Sequence, residues 1–340
     1  MFKNKYSNDI SLHGGIPKEF YHLKNKEFDE WEIAPWELTI NNDSLIGYGT
    51  WANIYLAEWR NTTVVAKVLK NEVDAEAKKL IIKEFNNMTK MHHPNIVQLF
   101  GYVEEPFIIV MEHFQNGDLY KNLNKLSLKQ KIKITNDIIK GLIYIHERRP
   151  MGLIHRDIKL RNILLTNSYT AKIGDFGLST FAIDNLIRIT SNNNLQGLEN
   201  ISMENEENKK KVNNNVTISG PLIESLELND LTDNVGTQRY MAPEMQTNFY
   251  NNKVDIYSCG ILLYELFTGN LYINDFIWLT KNGNTLNKHL IYLIKDMTKK
   301  IPSDRLNART ALYKLSSIKF TKYSIFSKFR ISNDYHNLNK

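Results

Sequence analysis

Cysteine is almost absent from the sequence, because Cys259 is the one cysteine in 340 residues. A disulfide framework within the chain is therefore excluded, and no cysteine and histidine spacing resembles a structural zinc site. The sequence also lacks a run of about 18 apolar residues, the length needed to cross a bilayer. Residues 1–9 contain no apolar core of a signal peptide. These absences predict a cytoplasmic protein with no membrane span.

Charge of one sign is not concentrated in any part of the chain. The formal net charge is +6, from 43 lysines and arginines against 37 aspartates and glutamates. The basic clusters at residues 209–211 and 319–330 are typical of solvated surfaces, and the aromatic residues from Phe320 to Phe329 have the spacing of a packed face. We therefore expect no nucleic-acid partner, although the net charge would suit an anionic ligand such as a nucleotide.

The composition that is present, with 42% hydrophobic and 24% charged residues, is typical of a globular protein with a substantial core. In the first third of the chain, short apolar and β-branched runs alternate with turn residues, which predicts a small, mostly antiparallel sheet. One helix interrupts the strands, since apolar residues recur at three- and four-residue steps between Asp74 and Met91. The predicted strands are 45–46, 54–56, 64–69, 96–103 and 107–111.

Helical periodicity dominates after Gly117. Residues 128–145 form one long predicted helix, and Ser127 with Gln130 has the pattern of a capping box at its start. Further helices are predicted at 254–267 and 286–297, and residues 269–288 are left without an assignment. The fold class is therefore α+β, with a small antiparallel β-sheet lobe that contains one helix and a larger, mainly α-helical lobe.

Changes in composition suggest the limits of the domain. We predict an N-terminal extension at 1–35, a folded domain at 36–316 and a C-terminal tail at 317–340, with the small lobe at about 36–112 and the large lobe at about 115–316. Residues 183–234 are rich in asparagine and poor in apolar residues, so they are predicted to form a disordered insertion. Asparagine and lysine abundance is also typical of an AT-rich genome, so this tract need not bind anything.

Two features of the predicted small lobe favour a phosphate-bearing ligand. The glycines of Gly47-Tyr48-Gly49-Thr50-Trp51-Ala52 would let backbone N–H groups approach phosphates, although a Gly-x-Gly turn also occurs in ordinary hairpins. Lys67 lies on an apolar strand, where an ammonium group is costly unless it is paired, and Glu84 on the following helix is the candidate partner. The alternative is a lysine that extends to solvent from an edge strand.

Three further motifs follow in order along the chain. They are His155-Arg156-Asp157-Ile158-Lys159-Leu160-Arg161-Asn162, Asp175-Phe176-Gly177 and Met241-Ala242-Pro243-Glu244. With this spacing the sequence resembles the eukaryotic protein kinases from about residue 36 to about residue 316. The resemblance implies the two-lobed kinase fold, ATP as the phosphate donor, Mg²⁺ as the metal cofactor and a protein substrate as the acceptor.

The resemblance also implies roles for individual residues. Asp157 would be the catalytic base, Lys67 would bind the α- and β-phosphates while paired with Glu84, and Lys159 would neutralise the γ-phosphate. The implied catalytic set is Asp157, Lys67, Lys159 and Asn162. The implied metal ligands are Asn162 and Asp175.

A nucleotide pocket between the lobes is implied in the same way. Adenine would bond to the backbone of Glu112-His113-Phe114. The sequence departs from the common family pattern at Val65, where a small alanine is usual, and at Ala52, where the third glycine of the phosphate loop is usual. The implied ATP-binding residues are Ile46, Gly47, Gly49, Ala52, Ile54, Val65, Lys67, Glu84, Met111, Glu112, Phe114 and Leu164.

Several residues would support the site without touching substrate. Asp255 would hold the backbone of the catalytic loop, and Arg305 would pair with Glu244. Four residues match the hydrophobic spine of the family, but plain core residues would be buried equally. They are Met88, Leu99, His155 and Phe176.

Substrate type and subgroup are implied by shorter matches. Lys159 and Thr237 match serine/threonine kinases, with dual specificity as the reservation. The runs Trp31-Glu32-Ile33 and Trp36-Glu37-Leu38, and residues 93–101, resemble the tyrosine-kinase-like group. Raf-like and integrin-linked-type kinases are the nearest comparisons.

Arg156, next to the implied base, suggests regulation, because kinases with this arginine often use it to bind a phosphorylated residue. The candidate phosphorylation site is Thr232, with Ser225 as the second choice. The alternative is a long loop that is tolerated without regulation.

Two classes of function remain open from the sequence. One is an active ATP-dependent serine/threonine protein kinase, and the other is a pseudokinase, a scaffold that has kept the fold and lost phosphoryl transfer. The complete set of five site residues favours the active enzyme, since a decayed enzyme has no reason to retain them together. That set is Lys67, Glu84, Asp157, Asn162 and Asp175.

Overall fold

The structure is a computed structural model of the chain. It describes residues 16–23, 26–49, 51–70, 75–181, 238–247, 250–269 and 288–318. Several sequence predictions concern residues outside these ranges. They are the insertion at 183–234 with Thr232 and Ser225, the substrate-type residue Thr237, most of the unassigned stretch 269–288, and nearly all of the tail.

The small lobe is a five-stranded antiparallel sheet with one helix. Its strands are β1 Leu38–Tyr48, β2 Ala52–Trp59, β3 Thr62–Leu69, β4 Leu99–Val103 and β5 Ile108–Glu112, in the order β1-β2-β3-β5-β4. Helix α1, Ala75–Met88, lies between β3 and β4 in the chain. Arg60 and Asn61 have φ of 48° and 61°, which is the backbone that a tight two-residue hairpin between β2 and β3 requires.

The predicted start of the fourth strand is wrong by three residues. The strand was expected from residue 96, but β4 begins at Leu99. The reason is that the preceding residues bond elsewhere: Ile96 forms a bridge with Ile173, and Val97 N donates to Ile173 O at 2.9 Å. Ile96 and Val97 therefore bond to the large lobe, and only the residues from Leu99 onward belong to the sheet of the small lobe.

Residues 31–33 lie along the outer edge of β4. Trp31 O accepts from Tyr102 N at 2.9 Å, and Ile33 N donates to Tyr102 O at 2.7 Å. A Cβ atom on Gly101 would lie 2.4 Å from Trp31 O, so only glycine permits this approach. The packed small lobe therefore reaches back before residue 36.

The large lobe is mainly helical. Its helices are α2 Leu119–Asn122, α3 Leu128–His146, α4 Lys253–Thr268, α5 Lys288–Met297 and α6 Ala308–Ser316. The capping box predicted at the start of α3 is confirmed, with Ser127 and Gln130 satisfying each other's backbone N–H groups. Helix α4 is buried on nearly all sides and forms the centre of the lobe.

Short strands line the boundary between the lobes. Strands β7 Ile163–Leu165 and β8 Ala171–Ile173 form one antiparallel pair, and β6 Leu153–Ile154 and β9 Thr180–Phe181 form another. The catalytic-loop motif runs between β6 and β7, and the Asp175-Phe176-Gly177 motif follows β8. The α+β, two-lobed fold class is thus confirmed. Within the described ranges, no helix is long and apolar enough to span a bilayer.

Candidate active site

Lys67 and Glu84 form an ion pair across the small lobe. Lys67 Nζ lies 2.5 Å from Glu84 Oε2, and Glu84 is only 3% exposed. Burial lowers the pKa of Lys67, but the negative charges of Glu84 and Asp175 outweigh burial, so the net pKa lies above its ordinary value. The lysine therefore stays charged in a buried site that suits a polyanionic ligand.

Strand alternation explains why Lys67 faces the cleft. On β3, Val64, Ala66 and Val68 pack into the cluster on the outer face of the sheet, so Val65 and Lys67 point to the opposite face. Helix α1 covers that face with its buried residues, and Glu84 belongs to the same side as Ile81 and Met88. The ion pair therefore forms because the two-residue alternation of β3 and the 3.6-residue repeat of α1 direct Lys67 and Glu84 into the same space between sheet and helix.

The second part of the site is the loop that carries Asp157. Asn162 Nδ2 donates to Asp157 Oδ2 and to Asp157 O, both at 2.8 Å. Lys159 Nζ also lies 2.8 Å from Asp157 Oδ2. Asp157 is 7% exposed, so the two donors hold a largely desolvated carboxylate in one orientation.

Asp255 at the start of α4 holds the backbone of this loop. Its Oδ2 accepts from His155 N at 2.9 Å, and its Oδ1 accepts from Arg156 N at 2.8 Å. His146 Nε2 lies 2.8 Å from the same carboxylate. Burial raises the pKa of Asp255, but the hydrogen bonds and the charges of the histidines exceed this effect and place the pKa below its usual range. The carboxylate therefore remains ionised and fixes the loop.

Asp175 and Glu84 lie on either side of Gly177. A Cβ atom at Gly177 would be 3.6 Å from Asp175 Oδ1 and 3.7 Å from Glu84 Oε2. Asp175 has φ of 63° and is exposed, a backbone that aspartate tolerates better than most residues. Phe176 is fully buried, with its ring 4.8 Å from that of His155. This packing presents the Asp175 carboxylate to the cleft.

The residues expected to hold Mg²⁺ have suitable donor chemistry. The described residues contain no group of three or more His, Cys, Asp or Glu that could hold a metal alone. Mg²⁺ commonly binds one or two protein oxygens together with substrate phosphates. Because the amide nitrogen of Asn162 bonds to Asp157, its amide oxygen would be the atom that binds a cation, and the Asp175 carboxylate would be the second ligand.

Most of the residues expected to bind ATP lie on the strands of the small lobe or on β7. Gly47 pairs with Ile54, and Val65 pairs with Met111, in the sheet. Phe114 is buried, Leu164 is half-buried on β7, and Ile46 on β1 is 50% exposed. Four of the expected residues, Ala52, Met111, Phe114 and Leu164, belong to or pack against one core cluster that also contains residues of the large lobe.

The glycine-rich turn is held by its own backbone. Gly49 N donates to Ala52 O at 2.8 Å, and a Cβ atom at Gly49 would lie 2.9 Å from that oxygen. Ala52 is 2% exposed and packs into the main core. The methyl group that replaces the expected third glycine is therefore accommodated inside the lobe.

Sequence reasoning missed several polar pairs around the site. Lys172 Nζ donates to Glu112 Oε2 at 2.6 Å, and Glu112 N donates to Gln98 O at 3.0 Å. Arg239 Nε lies 2.7 Å from the Oε1 atom of buried Glu265. These partners are far apart in sequence, and no local pattern could have identified them.

The predicted pair of Arg305 and Glu244 is present. Arg305 Nη2 donates to Glu244 Oε2 at 2.8 Å, and Arg305 is 2% exposed. Arg305 also donates to the carbonyls of Lys253 and Lys300, each at 3.1 Å. This guanidinium ties the segment after Ala242-Pro243 to α4 and to the chain before α6.

Comparisons with known proteins agree with this geometry. Residues 40–214 match the family model of the protein tyrosine and serine/threonine kinases. Residues 218–315 match the protein kinase domain. The two matches together cover the glycine-rich turn, the Asp157 loop, the Asp175 motif and Glu244.

Similar proteins include two from Arabidopsis thaliana and one from Dictyostelium discoideum. Serine/threonine-protein kinase VIK from Arabidopsis is 32% identical, over 78% of this chain and 56% of that protein. The dual specificity protein kinase pyk3 from Dictyostelium is 30% identical, over 66% of this chain and 14% of that protein. Serine/threonine-protein kinase CTR1 from Arabidopsis is 29% identical, over 71% of this chain and 25% of that protein. The chain thus spans about half the length of VIK and less of the others.

Proposed function

This chain belongs to the eukaryotic protein kinases, of the tyrosine-kinase-like and Raf-related type, and on that premise we propose that it transfers the γ-phosphate of Mg-ATP to serine or threonine hydroxyls of protein substrates. The observation that carries the proposal is the presence of two charged centres, one in each lobe. One is Lys67 with Glu84, and the other is Asp157 with Asn162 and Lys159.

Asp157 would orient the acceptor hydroxyl and take its proton. Both side-chain donors contact Oδ2, so we assign the other oxygen, Oδ1, to the acceptor. A positioned general base contributes on the order of 10²–10⁴ in rate. Lys159 lies within ion-pair distance of this base, where its positive charge would offset charge that develops on the transferred group.

Lys67 and the ligands Asn162 and Asp175 would hold the nucleotide phosphates. Bound Mg²⁺ would neutralise negative charge on the phosphate oxygens. Glu84 would keep the Lys67 ammonium in place for the phosphates, because the carboxylate is almost fully buried and its ion pair with Lys67 opposes movement of the lysine into solvent. Phosphoryl transfer needs mainly positioning and charge neutralisation, and these groups provide both.

Serine/threonine specificity is supported by Lys159 two residues after the base and by the names of VIK and CTR1. The name of pyk3 includes dual specificity, so phosphorylation of tyrosine should be tested together with phosphorylation of serine and threonine. Phosphorylation at Thr232, or at Ser225, is a separate proposal. A phosphopeptide map of the active protein that shows both residues unmodified would contradict it.

The experiment is transfer of labelled γ-phosphate from Mg-ATP to the protein itself and to a basic acceptor protein. Wild type is compared with Asp157→Asn, and with Asp43→Asn, a matched change at an exposed residue of β1. We expect transfer by wild type and Asp43→Asn, and loss of at least about 10²-fold in Asp157→Asn. Phospho-amino-acid analysis of the product then tests the acceptor type.

Absence of transfer would be informative if Mg-ATP still raised the melting temperature. That result would favour the pseudokinase, unless treatment with an upstream kinase restored transfer. Equal transfer by wild type and Asp157→Asn would refute the role of Asp157.

A further inference from the structure

The Arg156 side chain joins three separate segments of the large lobe. Its backbone has φ of 70°, and its N–H donates to Asp255. From this strained position, Nε donates to the carbonyl of Leu178 and Nη1 donates to the hydroxyl of Tyr250 at 2.7 Å. One guanidinium therefore connects the Asp157 loop, the residue after Gly177 and the chain that leads into α4.

Both acceptors of Arg156 are neutral groups built into the chain. A carbonyl and a phenol hydroxyl are available without any chemical modification. The resemblance to kinases implied that Arg156 binds a phosphorylated residue. The guanidinium has five N–H donors, so the two observed bonds leave donors for a phosphate as well.

Tyr250 is held rigidly enough to act as a fixed acceptor. It is 8% exposed and packs in one apolar cluster with Ile154, Ala242 and Val254. Ile154 is the last residue of β6 and immediately precedes His155, so the cluster adjoins the start of the Asp157 loop. Moving the ring away from Arg156 would expose apolar surface, which makes the observed position of the hydroxyl the favourable one.

We infer that Tyr250 is a positioning residue that holds Arg156, and through Leu178 the segment after Asp175, in place without a phosphate group. The inference rests on the proposed function, and it means that the Tyr250 contact supports kinase activity in the unphosphorylated protein. A phosphate that bound the remaining donors of Arg156 would make the tyrosine hydroxyl less important.

The test is Tyr250→Phe, assayed in phosphatase-treated protein and in protein phosphorylated by incubation with Mg-ATP. We expect kcat of the treated variant to fall about tenfold, the size of one lost hydrogen bond to a charged group. KM for Mg-ATP should not change, because Tyr250 packs in the large-lobe cluster with Ile154, Ala242 and Val254, and none of these is an expected nucleotide residue. The loss should shrink in the phosphorylated protein. The matched control is Tyr257→Phe, in the same cluster, which should behave as wild type.

Hydrogen exchange provides a readout that does not depend on activity. In treated protein, amides of residues 175–181 should exchange faster in Tyr250→Phe than in wild type or Tyr257→Phe. The double variant Tyr250→Phe/Arg156→Lys should exchange no faster than Arg156→Lys alone, since Tyr250 acts through the Arg156 guanidinium.

Three results would overturn the inference: equal exchange in Tyr250→Phe and wild type, an equal loss of kcat in both phosphorylation states, or no loss in either. Failure of the proposed function looks different. A wild type that transfers no phosphate while its 175–181 amides still depend on Tyr250 would contradict the kinase activity and leave the positioning role supported.

Discussion

Tyr102 on β4 donates its hydroxyl proton to Asp29 Oδ2 at 2.7 Å, which ties the segment before the sheet to the sheet edge. On the same ring, Phe85 of α1 packs edge-on with centroids 4.9 Å apart. Phe85 follows Glu84 directly. The segment at 26–33 is thereby connected to the helix that carries the Lys67 partner.

Removal of this contact should destabilise the protein modestly. We expect Tyr102→Phe to lower the free energy of unfolding by about 1 kcal/mol, measured by urea denaturation, with exposed Tyr313→Phe as the control. The hydrogen bond from Tyr102 lowers the pKa of Asp29. Its contribution is therefore present above the unfolded pKa and lost as the pH falls below about 4. An equal pH dependence in wild type and Tyr102→Phe would contradict this assignment.

Replacing Glu84 should damage both stability and activity. Glu84→Gln removes the carboxylate that pairs with the Lys67 ammonium and leaves only the charge of Asp175 nearby; breaking one side of a buried pair costs about 3 kcal/mol or more. We also expect a higher KM for Mg-ATP, because the lysine would lose its orientation. Glu58→Gln, at an exposed residue of β2, is the control. A variant with wild-type unfolding and wild-type KM would show that the pair is unimportant.

Asn162→Ala removes the two bonds to Asp157 and one proposed metal ligand. We expect kcat to fall by roughly 10²-fold or more and the Mg²⁺ concentration for half-maximal activity to rise. Titration of activity with MgCl₂ at fixed ATP measures both effects. An unchanged Mg²⁺ requirement would leave Asn162 as an orienting group for Asp157 alone.

Glu265 should make stability depend on pH near neutrality. Burial raises its pKa to about 7, against the lowering effects of its bond to Tyr240 and the charge of Arg239. In the unfolded chain the Glu265 carboxyl ionises near pH 4.3. Between about pH 4.3 and 7 the unfolded state therefore binds fewer protons than the folded state. The free energy of unfolding should fall as the pH rises through that window. The urea midpoint should fall less steeply between pH 5 and 7.5 in Glu265→Gln than in wild type. If the urea midpoint had the same pH dependence in wild type and Glu265→Gln, the raised pKa of Glu265 would be refuted.

Glu244→Gln tests the buried pair with Arg305. The variant leaves a charged guanidinium that is almost fully buried, so we expect a loss of about 3 kcal/mol or more in the free energy of unfolding. The double variant Glu244→Gln/Arg305→Met should recover part of this loss, because no buried charge remains. A double variant less stable than Glu244→Gln alone would contradict this account.

Local patterns predicted most of the fold. The capping box at Ser127, the apolar period of α1 and the apolar stretch of α4 depend on neighbours within a few residues, so they can be read along the chain. The start of β4 could not be predicted in this way. Ile96 and Val97 have the composition of a strand, but their hydrogen bonds go to β8, more than 70 residues away.

The sequence by itself determined which chemical groups this protein has: the spacing of Lys67, Asp157, Asn162 and Asp175 identifies the family, and strand alternation and helix period orient them. Only the tertiary structure decided which groups meet. The contacts of Arg156 with Tyr250, Lys172 with Glu112 and Arg239 with Glu265 join segments that are distant in the chain. Their strength comes from burial and mutual approach, which are properties of the packed molecule and leave no periodic signal in the sequence.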